Sequence, residues 1–589
     1  MAHCGIRRPT TMFCVAFALA LMIAAGLPLL ALAQSPAGEP RIAFAARTGQ
    51  NWDIYSIRPD GTDLRRLTDH PEPDLAPAFS PDGSRLLFQS HRDGNWEIYL
   101  LDLHNGELTR LTDSPAFDGM PAWAPDGRRF AFESTRAGDL DIFIGSVDGG
   151  PPQNLTADSP YGDMKPAWSP DGSTIAFSSW RYGDKDLFFM RPDGQDVRQI
   201  TNSPTGEDQP AWSPDGIRLA FTYRTPEKRE VTVLEVMAPP AEGGLTTRLT
   251  WSTANEWAAW SPDGRSLAWL EQYYNGWALH TAPLTQTAVQ PATVLRGYAL
   301  AGPLSWNDRA LPFGQPAAAE SLDHPWRTRY AMRWEELQPL AEGGSDGGLV
   351  GWVRVQNVDV PNERLNALVA PSFMELREAV KRAAGFDFLA RLSDAWRPLD
   401  EDSETTTYAS WHKAGRAIDT LFDYRDRSGF PMMAVVREDI GGRTYWRVYL
   451  RAARQDGSLG MPLREPPWDF SGKARLRFPE QGGRWDTIPA GYYVDFTDLA
   501  SSFGWERIAS VDKADFSWTW HFLAIEYWHF QQDEDMNWYA SMRQVYPLQE
   551  LAPLFNWQAL RKNDIPDWYI VLTGIPIPLS EHRWGLLRP

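Results

Sequence analysis

Ser410-Trp411-His412-Lys413-Ala414-Gly415-Arg416-Ala417-Ile418-Asp419 and, later in the chain, Glu526-Tyr527-Trp528-His529 hold the residue types from which a hydrolytic metal site is built. Two imidazoles and a carboxylate can fill three positions of a tetrahedral zinc and leave the fourth for water. The ion lowers the pKa of that water to about 7, so a nearby glutamate can take its proton and pass it to a leaving amine. An arginine at such a site supplies fixed positive charge for a tetrahedral intermediate. Gly415 permits a tight bend after His412, and the alternation from Arg416 to Tyr424 predicts a strand that carries Asp419 toward the same point. Glu526 and His529 differ by an odd number of positions, so a regular strand would set them on opposite faces. A helical turn or a bulge is therefore expected between them.

The pattern S-x-H-x-x-G-x-A-x-D, joined to the later E-x-W-H, resembles the D-alanyl-D-alanine carboxypeptidase (VanY-like) zinc peptidases, relatives of the VanX dipeptidases and of the Hedgehog fold. The resemblance covers roughly residues 365 to 535 and implies an α+β domain. It implies that His412, Asp419 and His529 bind one Zn2+ and that Glu526 is the general base. By the same resemblance Arg397, in Leu392-Ser393-Asp394-Ala395-Trp396-Arg397, holds the oxyanion or the substrate carbonyl, and Ser410 lines the substrate pocket. The implied substrate is a cell-wall peptide of peptidoglycan, cut next to a D-alanine or at a cross-link. The chain departs from the family in three places. A hairpin is predicted between the two motifs, from Met432 to Glu438 and Arg443 to Arg451 around Gly441-Gly442. The arginine motif reads A-W-R-P where the family has G-Y-R-S. A tail from Leu548 to Pro589 lies beyond the last motif. His521, eight residues before His529, is read as part of an aromatic-rich core strand.

Ahead of these motifs the chain repeats. Phe79-Ser-Pro-Asp-Gly83, Trp123-Ala-Pro-Asp-Gly127, Trp168-Ser-Pro-Asp-Gly172, Trp212-Ser-Pro-Asp-Gly216 and Trp260-Ser-Pro-Asp-Gly264 recur every 44 to 48 residues. Pro and Asp set a turn, Gly supplies positive φ, and the residues that follow alternate as a strand. Such a period with several short strands per unit is that of propeller blades. The first unit lacks its aromatic turn and starts at Arg41-Ile42-Ala43-Phe44, while a degenerate partner, Leu304-Ser305-Trp306-Asn307, ends the series. The two ends are expected to share one blade and close a six-bladed ring. This region, 41 to 312, resembles the TolB-like propellers of exported bacterial proteins, which implies an envelope protein as a partner. The recurring acids Asp53, Glu97, Asp141 and Asp186 are read as structural positions of the repeat rather than as a ring of ligands.

From Phe313 to Gly348 the strand pattern stops and Pro, Ala, Glu and Gly accumulate, which reads as a linker. Gly343 to Gly347 satisfies G-x-S-x-G, but no apolar strand precedes Ser345 and more glycine follows it, so it is no nucleophile elbow. The peptidase-like part is expected over residues 349–547 and an extension over 548–589. It opens with a helix from Ser372 to Ala384 stopped by Gly385, then a strand from Phe386 to Leu392. The expected fold is thus an all-β six-bladed propeller followed by an α+β domain.

Arg7 and Arg8, an apolar run from Phe13 to Leu32, and Ala31-Leu32-Ala33 have the order of a signal peptide over residues 1–33. Export to the periplasm, envelope or exterior is expected; left uncleaved, the segment would be a membrane anchor. Both cysteines, Cys4 and Cys14, lie inside it, so the remainder has no thiolate or disulfide. A formal net charge of −19 argues against a nucleic-acid or anionic-membrane binder, which would need a basic face. The residues leave two other readings open. In one, a non-catalytic binding module accompanies a propeller that serves as a protein platform; in the other, a zinc amidase acts on a substrate outside the cell wall.

Overall fold

Each aspartate of the repeated turns organises its own bend. Asp82 accepts from Ser80 Oγ at 2.6 Å and from the Ser84 N–H at 3.1 Å, and Gly83 follows at φ 71°. Asp171, Asp215 and Asp263 repeat the arrangement before Gly172, Gly216 and Gly264. The turn aromatics then join neighbouring sheets: Trp123 Nε1 donates to Ala78 O at 3.0 Å, Trp212 to Ala167 O at 3.2 Å and Trp260 to Ala211 O at 3.0 Å.

The computed structural model describes residues 39–562 except 50, 183–184, 203–205, 226–227, 236–245, 249–253, 274–275, 285–290, 310–312, 320–321, 323–348, 400–409, 441–442, 471–483, 486, 511–525 and 533–535, together with Thr573 and Ile575. The signal-like segment, the G-x-S-x-G stretch and His521 lie outside the described residues. Among the described residues no helix is long and apolar enough to cross a membrane.

Six antiparallel sheets follow one another from Arg41 to Pro316. A representative sheet runs Asp74–Phe79, Arg85–Ser90, Glu97–Asp102 and Leu108–Arg110 in simple order. The sixth joins the two ends: Arg41–Thr48 pairs with Leu300–Asn307, Arg41 opposite Asn307 and Ala46 opposite Leu300. Late and early strands thus share one sheet, as the missing first turn implied. The first strand of each later unit bulges at a non-glycine residue of positive φ, namely Ala76, Met120, Lys165, Gln209 and Trp257. The recurring acids bind the outer strand of their own sheet: Asp53 to Arg66, Glu97 to Arg110 and Thr112, Asp141 to Asn154 and Thr156, Asp186 to Gln199.

The helix Ala370–Ala384 ends where expected, with Gly385 at φ 79° donating its N–H to Lys381 O. Phe386 to Leu392 is not a strand. Phe388 and Leu389 are consecutive and both buried, which alternation cannot satisfy, and the chain makes a 3-10 turn at Phe388–Ala390 instead. The predicted strand at Arg416 to Tyr424 shrinks to Ala417–Asp419. The predicted hairpin is present, Met433–Ile440 against Arg443–Arg451, and Tyr492–Asp495 extends its sheet. The helices Trp538–Val545, Leu548–Leu554 and Trp557–Lys562 share one apolar cluster with Trp411 and Ala414, the neighbours of His412.

This part contacts the blades directly. Tyr492 Oη lies 3.0 Å from the Phe117 N–H and 2.8 Å from Thr135 Oγ1, and Arg464 pairs with buried Glu133 at 2.9 Å. Lys185 bridges Glu465 at 2.5 Å and Asp208 at 3.0 Å.

Candidate metal centre

Three short elements bring the site together. Ala417–Asp419 and His529–Gln531 are adjacent antiparallel strands, with Asp419 directly opposite His529 and Glu506–Arg507 on the far side of His529–Gln531. Directly opposed residues place their side chains on one face about 5 Å apart. His412 comes from the 3-10 turn Trp411–Ala414, which Gly415 closes at φ 63°. The turn is clamped below: Arg416, fully buried, donates to Gln544 Oε1 at 2.9 Å and Gln532 O at 3.1 Å, and Lys413 Nζ donates to Leu399 O at 3.0 Å.

His412, Asp419 and His529 each offer one ligand atom, all within 4.8 Å of one another, and all three residues are buried. His529 Nδ1 lies 2.8 Å and His412 Nε2 3.1 Å from the same oxygen, Asp419 Oδ1, and the two rings stand 5.1 Å apart at 75°. Ligand atoms on a tetrahedral zinc with bonds of about 2.0 to 2.1 Å sit about 3.3 Å apart, so the three atoms need move little to share an ion. Although His412 Nε2 lies 3.1 Å from Asp419 Oδ1, neither of its ring nitrogens makes a well-directed hydrogen bond among the described residues. A buried imidazole without a partner is costly in any protein interior, and a metal ligand is what these atoms suit.

The electrostatics agree. Burial opposes charge on Asp419, yet His412 and His529 hold its carboxyl well below the usual carboxylate range. Burial works against a proton on His529, but the Asp419 hydrogen bond and charge, with Glu526 adding to them, raise its pKa. His529 Nε2 is 3.4 Å from Gln531 Oε1, which leaves Nδ1 for the cluster. An outer partner on the second nitrogen is how ligating histidines are usually oriented.

Glu526 sits at φ 60°, an uncommon conformation for a non-glycine residue, and the His529 N–H donates to its carbonyl at 3.2 Å. The tight turn over Tyr527 and Trp528 is the break from regular strand that the spacing required, and the Glu526 side chain is buried beside the cluster. Arg397 Nη2 lies 3.6 Å from Asp419 Oδ2, while its Nε is held by Asp394. Ser410 is buried at the start of the His412 turn, where its carbonyl accepts from Trp538 Nε1 at 2.9 Å. That contact fixes the turn against the helix Trp538–Val545.

Asp394 was not singled out by the sequence reading. Its carboxylate holds Arg397 and lies 3.9 Å from His412 Nδ1, and its carbonyl accepts the Asp419 N–H at 2.8 Å. The available signal was its place three residues before Arg397, a spacing at which a carboxylate and a guanidinium can meet.

Residues 28–165 and 153–293 match the TolB beta propeller domain. The blade region is thus similar to TolB propellers. TolB from Acinetobacter baumannii is similar at 20% identity, covering 45% of this chain and 66% of that one, with a TM-score of 0.41. A putative TolB from Agrobacterium tumefaciens is similar at 21% identity, covering 45% and 91%, with a TM-score of 0.36. The chain thus spans just under two thirds of the first of these proteins. No curated protein matches the chain.

Proposed function

We propose that this protein is an exported zinc-dependent peptidase that acts on cell-wall peptides of the D-alanyl-D-alanine type, with a propeller that docks or positions it. The observation that carries this reading is the convergence of His412 Nε2, Asp419 Oδ1 and His529 Nδ1 within one buried cluster, with Arg397 at its edge and Glu526 in the adjoining turn. His412, Asp419 and His529 would hold the zinc, which when bound supplies Lewis acidity and a water of lowered pKa. Glu526, in the adjoining turn, would act as the general base, holding a proton on its carboxylate and passing it to the leaving amine. Arg397, fixed by Asp394, offers its guanidinium to the charge that grows on the scissile carbonyl oxygen.

The cell-wall substrate rests on the motif resemblance, and export rests on the order of Arg7, Arg8, the apolar run and Ala31-Leu32-Ala33. In this reading the propeller spans residues 41–312, a linker 313–348, the peptidase 349–547 and an extension 548–589. The propeller's remaining surface would receive an envelope protein.

Glu526→Gln tests the assignment. The variant should bind zinc like the wild type and lose about 10²- to 10⁴-fold in turnover of D-alanine-ended peptides, the usual contribution of a general base. Zinc retained with undiminished turnover would remove Glu526 from the role.

A further inference from the structure

The strands that carry Asp419 and His529 are three residues long, and their further partner, Glu506–Arg507, has two. So short a ladder does not fix two side chains by its own hydrogen bonds; packing against its apolar side must do so. On the side away from His529 lies Phe530, fully buried, directly opposite Ile418, the residue before Asp419.

Phe530 meets Phe496 edge to face, with ring centroids 5.0 Å apart, and Phe496 is also fully buried. Phe496 opens the helix Phe496–Ser501, which Asp495 caps by accepting the Asp498 N–H at 2.9 Å. The strand that runs into this helix, Tyr492–Asp495, begins on the propeller. Tyr492 Oη accepts the Phe117 N–H and touches Thr135 Oγ1, and its ring shares one apolar cluster with Trp96, Phe117, Leu140 and Met164 of the blades. Gln455 clamps the Tyr492 backbone, accepting its N–H at 2.9 Å and donating to its carbonyl at 3.1 Å. A second tie runs from the helix to the blades, Asp498 lying 3.6 Å from Arg47. Only four positions of chain thus separate an anchor on the propeller from a ring packed under the strand of His529. Chains of packed side chains and short rigid elements are what carry energetic coupling between sites.

We propose that Tyr492 is a positioning residue of the metal centre: by anchoring Tyr492–Asp495 to the propeller it holds Phe496 against Phe530 and so keeps His529 opposite Asp419. The propeller then supports the site without lending it a ligand. The proposal rests on the reading of His412, Asp419 and His529 as metal ligands.

The test measures zinc affinity of the full chain by competition with a chelator and, on the metal-free chain, hydrogen exchange over residues 526–532. Tyr492→Phe removes the hydroxyl and keeps the ring, and Thr135→Val removes its partner on the blade. Each is expected to weaken zinc binding threefold or more, within the about two- to thirtyfold typical of residues along such a path, and to speed exchange at residues 529–531. The double variant should lose no more than the larger single loss, because both changes remove one contact. Phe221→Leu, in the buried core of a different blade, controls for general destabilisation and should leave zinc affinity unchanged. The proposal is overturned if Tyr492→Phe and Thr135→Val keep wild-type zinc affinity, or if Phe221→Leu loses as much as they do. A wild-type chain that takes up no zinc would refute the metal centre itself, and the positioning role with it.

Discussion

Gly415 meets two demands at one position: φ of 63°, and a neighbourhood in which a Cβ would lie 2.4 Å from the Trp352 ring and 2.7 Å from the Asn366 N–H nitrogen. It fixes the distance between the His412 turn and the Asp419 strand. Gly415→Ala should therefore cost on the order of 2 kcal/mol or more in stability and weaken metal binding as well. Thermal melting and a competitive zinc titration read the two effects, and an alanine variant with wild-type values in both would show that the turn does not set the site. The two histidines and Asp419 were legible through the motifs that carry the family resemblance, and the bend at Gly415 and the break before His529 through residue type and spacing. Asp394 was not, since a carboxylate in a chain with 76 acidic residues carries no mark of its own until its neighbours are known.

The blades repeat an ion pair between the start of one strand and a residue 18 positions later: Asp74 with Arg92, Asp118 with Arg136, Asp163 with Arg181. Burial outweighs the pair electrostatics at Asp118 and Asp163, whose carboxyls are pushed up to about 6. In the unfolded chain such a carboxyl titrates at about 3.9. Between these values the folded state binds the extra proton, so the stabilising contribution is complete below about pH 4 and is lost as pH rises through about 6. A two-unit shift corresponds to about 3 kcal/mol as an upper bound. Asp163→Asn, which cannot titrate, should gain on the wild type as pH rises from 4 to 7. Denaturant unfolding at several pH values reads this, and a stability difference that stays constant with pH would contradict it. At this scale the repeats were legible because one turn sequence recurs five times. The segment Phe386 to Leu392 was misread because its alternation describes side-chain chemistry, whereas Phe388 and Leu389 both point inward.

The assembled chain joins its parts through contacts far apart in sequence, Arg464 with Glu133 and Tyr492 with Phe117 at separations of 331 and 375 residues. No local pattern announces such pairs, so the packing of the C-terminal part against the blades could not be read in advance. A buried pair of this kind adds little net stability but is costly to break, which favours one fixed arrangement of the two parts. The candidate metal cluster is built from the C-terminal part alone, on two strands and a 3-10 turn that contain none of the propeller's residues. The zinc content of the purified full chain, measured beside His412→Ala prepared identically, therefore bears most directly on the whole account. One zinc per wild-type chain, absent from the variant, is the predicted result. A wild-type chain that takes up no zinc, or a variant that retains it, would contradict the assignment of His412, Asp419 and His529 as a metal site.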